Sequence, residues 1–152
     1  MTDQPEITLD EITLPALLRH ARYTYGAAMR AALAEAGYDD IPGNGLYVIG
    51  ALAWGGAPLG EIVRDLRVSK QAAGQLVDAL VLRGYLERQA DPEDRRKLTV
   101  TLTERGRAAA DVQIAAREAV DAKLMAIVGE EDFLRAKQVL AALIDIGRED
   151  AG

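Results

Sequence analysis

VSKQAAGQLVDALVLRGYLERQADPEDRRKLTVTLTERGR, residues 68–107, is the stretch on which the fold of this chain turns. It opens with a helix that has two unlike faces. Ser69 is placed to cap that helix, accepting a hydrogen bond from a backbone N–H that has no partner in the first turn. Ala73, Leu76, Val77 and Leu80 follow at i, i+3, i+4 and i+7, which makes one face apolar. Lys70, Gln71, Gly74, Gln75 and Asp78 lie on the other face, and all are small, polar or charged. Arg83-Gly84 ends the helix where a C-terminal glycine is expected. Tyr85 to Arg88 and Leu98 to Leu102 alternate as two short, half-buried strands. Between them, Ala90 to Lys97 is too polar for a core, and Arg95, Arg96 and Lys97 make it basic.

A polar-faced helix followed by a basic-tipped hairpin has the layout of a winged helix-turn-helix. The stretch resembles the MarR family of transcription regulators (the multiple-antibiotic-resistance regulator type). That family's wing reads D-P-x-D-R-R, then a strand, then L-T-x-x-G-R. This chain has Asp91-Pro92-Glu93-Asp94-Arg95-Arg96, then Lys97 to Thr101, then Leu102-Thr103-Glu104-Arg105-Gly106-Arg107. The match spans about forty residues with its spacing intact.

The totals exclude several function classes. A chain of 152 residues is one ordinary domain, long enough to bury a core. It has no Cys and a single histidine, His20, so disulfides, thiol redox chemistry and His- or Cys-rich metal sites are excluded, and no cofactor is expected. No nucleophile–base–acid constellation or phosphate-cradling glycine loop is visible, so an enzyme is not expected. No run approaches the length of a membrane span, and the first eleven residues are acidic, unlike a signal peptide. A soluble, cytoplasmic protein with no membrane partner is the expectation. Net charge is −6, but it is unevenly spread. Residues 1–57 carry 3 basic and 7 acidic side chains, 58–107 carry 10 and 8, and 108–152 carry 5 and 9. The middle segment is thus the positive one, and screening over roughly 8 Å lets a local patch hold phosphate on an acidic protein.

Outward from the central stretch, residues 1–12 are expected to be a flexible terminus. Thr13 is a plausible N-cap with Pro15 in the first turn, opening a helix across residues 13–36. Leu14, Leu17, Leu18, Ala21, Tyr25, Ala28 and Ala32 form its apolar stripe. Gly37 stops it, and residues 38–43 are a turn. Leu46 to Trp54 reads as a short, mostly buried helix, which the resemblance makes the support beneath the motif. Asn44-Gly45 departs from the family's polar–aromatic start there, which leaves the first residue of that helix open. Gly55 to Pro58 is expected as a loop and Gly60 to Leu66 as the motif's first helix, with Ile62, Val63 and Leu66 inward. Arg67-Val68 is then a tight turn. Thr103 caps a long helix to Val128, with Ala108, Val112, Ala115, Ala119, Ala122 and Ala126 on one face. Gly129 ends it, and a last helix runs to Gly147. The expected fold is therefore mainly α: a winged helix-turn-helix over 44–107, with helices 13–36 and 103–148 as a dimerisation domain. Those terminal helices carry more apolar surface than one winged motif can cover.

The resemblance implies a homodimer that binds double-stranded DNA at an inverted-repeat operator, most simply as a repressor of adjacent genes. The recognition helix would enter the major groove. Gln71 and Gln75 could each pair with adenine, and Lys70 could reach guanine or phosphate. Ser69 could bond a phosphate at the helix N-terminus, and Gly74 would let the backbone come close. At the wing, one of Arg95 and Arg96 would enter the minor groove while the other and Lys97 hold phosphates. Asp94 (or Asp91) would pair with an arginine and keep the loop in shape. Many relatives release DNA on binding a small, often aromatic and acidic effector, for which His20, Tyr23, Tyr47 and Trp54 are the candidate lining; Tyr47 and Trp54 are seven apart and expected on one helix face. The same four residues could instead pack at the junction of the two lobes. The alternative function is a winged-helix protein-interaction module without DNA binding or ligand response, against which the wing cations and the polar helix face both argue.

Overall fold

The computed structural model describes residues 8–91, 93–96 and 98–150. In order, its elements are α1 (Leu14–Glu35), α2 (Gly45–Leu52), β1 (Ala57–Pro58), α3 (Leu59–Leu66), α4 (Lys70–Leu82), β2 (Leu86–Ala90), β3 (Leu98–Leu102), α5 (Glu104–Val128) and α6 (Glu130–Glu149). They fall into two compact units, residues 1–116 and 117–152. The mainly α, winged helix-turn-helix expectation holds.

Local signals account for most of the helix ends. The Thr13 hydroxyl accepts from the Ala16 N–H at 3.4 Å, the Ser69 hydroxyl from Ala72 at 3.1 Å, and the Thr103 hydroxyl from Gly106 at 3.0 Å. Each removes one of the orphan donors of a first helical turn. Gly84 adopts φ 80°, the left-handed backbone that lets the chain leave α4 sharply. The sheet is three-stranded in the order β1-β3-β2, both pairings antiparallel. Leu86 stands opposite Leu102 and Ala90 opposite Leu98, so the hairpin turns beyond the Ala90–Leu98 pair.

Several expectations need correction. The support helix ends at Leu52 rather than Trp54, because Ala53 and Gly55 bond back to Gly50 and Leu52 in tighter i→i−3 turns. Ala57-Pro58, expected as loop, is a two-residue strand paired with Thr99 and Val100. It can lie there because Gly56 leaves room: a Cβ at that position would come 2.6 Å from the Thr101 methyl. The second strand begins at Leu86, and Tyr85 is instead a fully buried core residue. On α1 the buried positions are Gly26, Met29 and Leu33, on a face adjoining the expected Leu14–Ala32 stripe. Leu14 and Leu17 of that stripe are exposed. Of the three inward residues expected on α3, Ile62 is buried and Leu66 half-buried, while the Val63 side chain lies outside those described. The last helix continues to Glu149. The terminus expected to be flexible falls mostly on residues 1–7, outside the described chain; Thr8 to Glu11 form a turn in which the Thr8 hydroxyl donates to Glu11 at 2.9 Å.

The core of the first unit gathers α2, the inner face of α4, β3 and the start of α5 around Leu46, Ile49, Leu80, Tyr85 and Val100. Buried Gln113 of α5 donates to the Leu46 carbonyl at 2.9 Å, tying α5 to α2. At Tyr85 the packing is tightest. Gly106 lies so near that a Cβ there would stand 2.0 Å from the Tyr85 carbonyl oxygen. The Tyr85 phenol donates to Asp40, and the Arg105 guanidinium bonds the phenol oxygen at 3.0 Å and Asp40 at 3.2 Å. Arg105 also lies over the rings of Tyr85 and Tyr38, 4.6 and 5.5 Å from their centroids. Burial, with the Asp40 hydrogen bond second, pushes the Tyr85 phenol up from 10.0 to about 12. The same hydrogen bond from Tyr85 holds the Asp40 carboxyl below its ordinary value.

Two outcomes follow from this clasp. Gly106→Ala forces a methyl into backbone and is expected to cost about 3 kcal/mol, read as a lower urea midpoint; an unchanged midpoint contradicts the packing. A raised phenol stabilises the fold below its unfolded value and loses that contribution as pH climbs toward the folded one. Wild-type stability should therefore fall relative to Tyr85→Phe between pH 10 and about 12. Parallel pH profiles for the two proteins would contradict it.

Candidate nucleic-acid interface

Helix α4 is held by its inner side. Ala73, Val77 and Leu80 are fully buried, which leaves Lys70, Gln71 and Gln75 pointing outward and exposed. Gly74 is half-buried, and a Cβ added there would meet nothing within 4 Å. Ser69 caps the helix while remaining exposed, so its hydroxyl and the first free N–H groups stand at the positive end of the helix dipole. The structure thus brings the five helix residues expected at the interface onto one end and one side of α4.

The hairpin leaves α4 through Arg83 to Tyr85, and its tip lies at the far end, beyond the Ala90–Leu98 pair. Arg95 and Arg96 are exposed, and no carboxylate among the described residues lies within ion-pair distance of either. Lys97, expected to hold phosphate, lies outside the described residues. The role given to the loop aspartates needs revision. Asp94 accepts from the backbone N–H of Arg96 at 3.0 Å and Asp91 from that of Glu93 at 2.9 Å. They shape the loop by mimicking backbone turns rather than by pairing with a guanidinium. Among the described residues neither wing guanidinium has a partner, which leaves its donors to an external anion.

The expected effector residues do not come together. Tyr47 lines a cavity of about 400 Å³, with Arg22, Asn44, Val48, Ala51, Ile62, Leu66 and Arg67 around it. His20 and Tyr23 are exposed on α1 and do not line it. Trp54 lies beyond the end of α2, is 88% exposed, and borders a different, shallower hollow with Gly55, Gly56 and Glu61. The expected shared face of Tyr47 and Trp54 fails because the helix that would align them stops at Leu52. In the cavity, Arg22 stacks over the Tyr47 ring at 4.3 Å. Two guanidiniums, an amide and a phenol over an apolar floor suit a small organic anion with a flat body.

Sequence reasoning missed Arg22, Asn44 and Arg67, which come from three separate segments and share no spacing rule. It also missed the ion pair between Arg88 of β2 and Asp78 of α4. Arg67 carries a signal visible only in the backbone: φ 51°, the one left-handed non-glycine residue among those described. Among the described residues no group of His, Asp and Glu could hold a metal ion, and no helix is long and apolar enough to cross a membrane.

Comparison with known proteins agrees with this geometry. Residues 39–97 match the sequence model of the MarR family. The HTH-type transcriptional repressor MdtR of Bacillus subtilis (strain 168) is 26% identical over 106 residues, covering 69% of this chain and 68% of that protein. Two solved structures share the fold. NadR in complex with 4-hydroxyphenylacetate superposes with a TM-score of 0.71 at 19% identity, over 94% of this chain and 97% of that one. Streptococcus pneumoniae FabT in complex with DNA gives 0.71 at 17% identity, over 90% and 99%.

The turn at Arg67 makes a stability prediction. A β-branched residue tolerates left-handed backbone poorly, whereas glycine adopts it freely. Arg67→Val is expected to be less stable than Arg67→Gly by about 1–2 kcal/mol in urea unfolding. Equal stabilities would mean that the turn is not held left-handed.

Proposed function

We propose that this chain, whose residues 39–97 match the MarR family model, is a transcription regulator of that family that binds double-stranded DNA sequence-specifically as a homodimer and represses adjacent genes until a small organic anion releases it. The observation that carries this reading is the pairing of a capped helix, polar on its outer face, with a hairpin loop whose two guanidiniums have no partner among the described residues. A surface that leaves two arginines unpaired on a chain of net charge −6 keeps its cations where a polyanion can use them.

In this mechanism α4 enters the major groove. Gln71 and Gln75 offer the paired donor and acceptor that adenine presents, and Lys70 and the Ser69-capped N-terminus neutralise backbone phosphates. Arg95 and Arg96 follow the adjacent groove and strand, one reading groove width and the other charge, with Lys97 as a further cation. Asp94 contributes by fixing the loop that carries them.

Dimerisation has its support in exposed apolar side chains. Leu140, Leu143, Ile144 and Ile146 of α6 stand 39–57% exposed, and Leu124 of α5 is 37% exposed. Such surface on a DNA-binding protein is suited to a second copy of itself. A two-fold dimer sets two recognition helices about 34–36 Å apart, matching an inverted repeat with half-sites one turn apart. Repression is favoured by the likeness to the repressor MdtR. For the effector, the cavity of Arg22, Tyr47 and Arg67 carries the proposal, and a small organic acid such as the 4-hydroxyphenylacetate bound by NadR has the fitting chemistry. Release requires that the anion bind the DNA-incompetent arrangement more tightly than the competent one.

Gel-shift titration against the DNA upstream of its own gene, with random competitor, tests the assignment. Arg95→Ala with Arg96→Ala should weaken binding and flatten the dependence of log K on log salt by about 1–2 units. Gln71→Ala should cost about 1–3 kcal/mol on the selected site and little on random DNA. Unchanged affinity in the wing variant at moderate salt would remove the hairpin from the interface.

A further inference from the structure

Asp78 sits on the outer face of α4 in line with Gln71 and Gln75, seven and three residues beyond them along the same side. A carboxylate on a surface meant for DNA is out of place by simple electrostatics, since the duplex carries a negative charge every 1.7 Å or so. It is not idle. The Arg88 guanidinium, from the middle of β2, donates to Asp78 Oδ1, while Asp78 remains 66% exposed and Arg88 32% exposed. Arg88 lies opposite Val100 in the hairpin, roughly midway between the strand's start at Leu86 and the loop that carries Arg95 and Arg96.

The covalent path from α4 into β2 runs through Arg83, Gly84 and Tyr85, so the chain itself fixes only the near end of the hairpin. Beyond that anchor, the ion pair is a polar side-chain link between helix and wing. We propose that Asp78 is a positioning residue: by holding Arg88 it locks the wing to the recognition helix, and the negative charge strengthens DNA binding instead of opposing it. This rests on the reading that α4 and the wing bind DNA. Exposed ion pairs contribute little to folding stability, so the signature belongs in DNA affinity and not in melting. No phosphate contact is removed with Asp78, so the salt slope should stay as it is.

The test uses the full chain and the DNA fragments that wild-type protein retains from sheared genomic DNA. Asp78→Asn is expected to weaken binding about fivefold at unchanged salt slope, while Asp78→Glu stays within about twofold of wild type. Arg88→Ala with Asp78→Asn should bind no more weakly than Arg88→Ala alone, because the two act as one unit. All variants should melt within about 3 °C of wild type, which excludes misfolding as the cause. If Asp78→Asn binds as tightly as wild type or more tightly, Asp78 is only an unfavourable charge and the proposal is overturned. A double variant weaker than Arg88→Ala by the full single-variant factor also overturns it, since the residues would then act separately. If wild type retains no fragment, the DNA-binding reading fails first and takes this inference with it; if it does retain DNA, the variants alone decide.

Discussion

The helix α5 begins against bare backbone. At Gly106 its first turn presses on the Tyr85 carbonyl so closely that no side chain fits, and the Thr103 hydroxyl just before it donates to the Gly84 carbonyl while capping the helix. Tyr85 passes the constraint on, because its buried phenol reaches Asp40 in the loop after α1, with Arg105 bracing both. Three parts of the chain distant in sequence are thereby clasped at one point: the loop before α2, the exit from α4 and the entry to α5. Helix α4 ends at that clasp and the hairpin begins there. Their placement, and hence any joint contact with DNA, depends on it.

This explains why the motif that betrays the fold in the sequence has the residues it has. In Leu102-Thr103-Glu104-Arg105-Gly106, the leucine enters the core, the threonine caps, the arginine braces Tyr85 and Asp40, and the glycine gives clearance. None of these residues needs to touch DNA. The recognition helix was legible because its signals are local: a cap at Ser69, a period in Ala73, Val77 and Leu80, a glycine at 84. The hairpin was legible because alternation survives in Leu98 to Leu102.

What escaped the sequence is non-local or rests on a fine balance. Trp54 was placed on a helix that an apolar run would allow to continue, but the backbone tightened two residues earlier. A two-residue strand such as Ala57-Pro58 carries no periodicity and forms only because β3 offers an edge. The loop aspartates chose backbone N–H groups two residues ahead over guanidiniums, a competition between short-range geometry and charge that composition does not settle. The cavity draws Arg22, Tyr47 and Arg67 from α1, α2 and the turn before α4, so its lining exists only once those segments have packed. Charge divides in the same way. Arg88, Arg105, Arg135 and Arg148 are engaged by carboxylates, while Arg95 and Arg96 are left facing outward, a distinction a net charge of −6 conceals.

A two-fold dimer that reads DNA with α4 and the wing, as proposed, must select its sites by symmetry. The most direct test is selection of bound sequences from a fully random duplex library by the purified protein, followed by sequencing. An enriched inverted repeat, with half-sites about one helical turn apart, is the expected result. Recovery of sequences with no common motif, from protein shown to be folded, would contradict it.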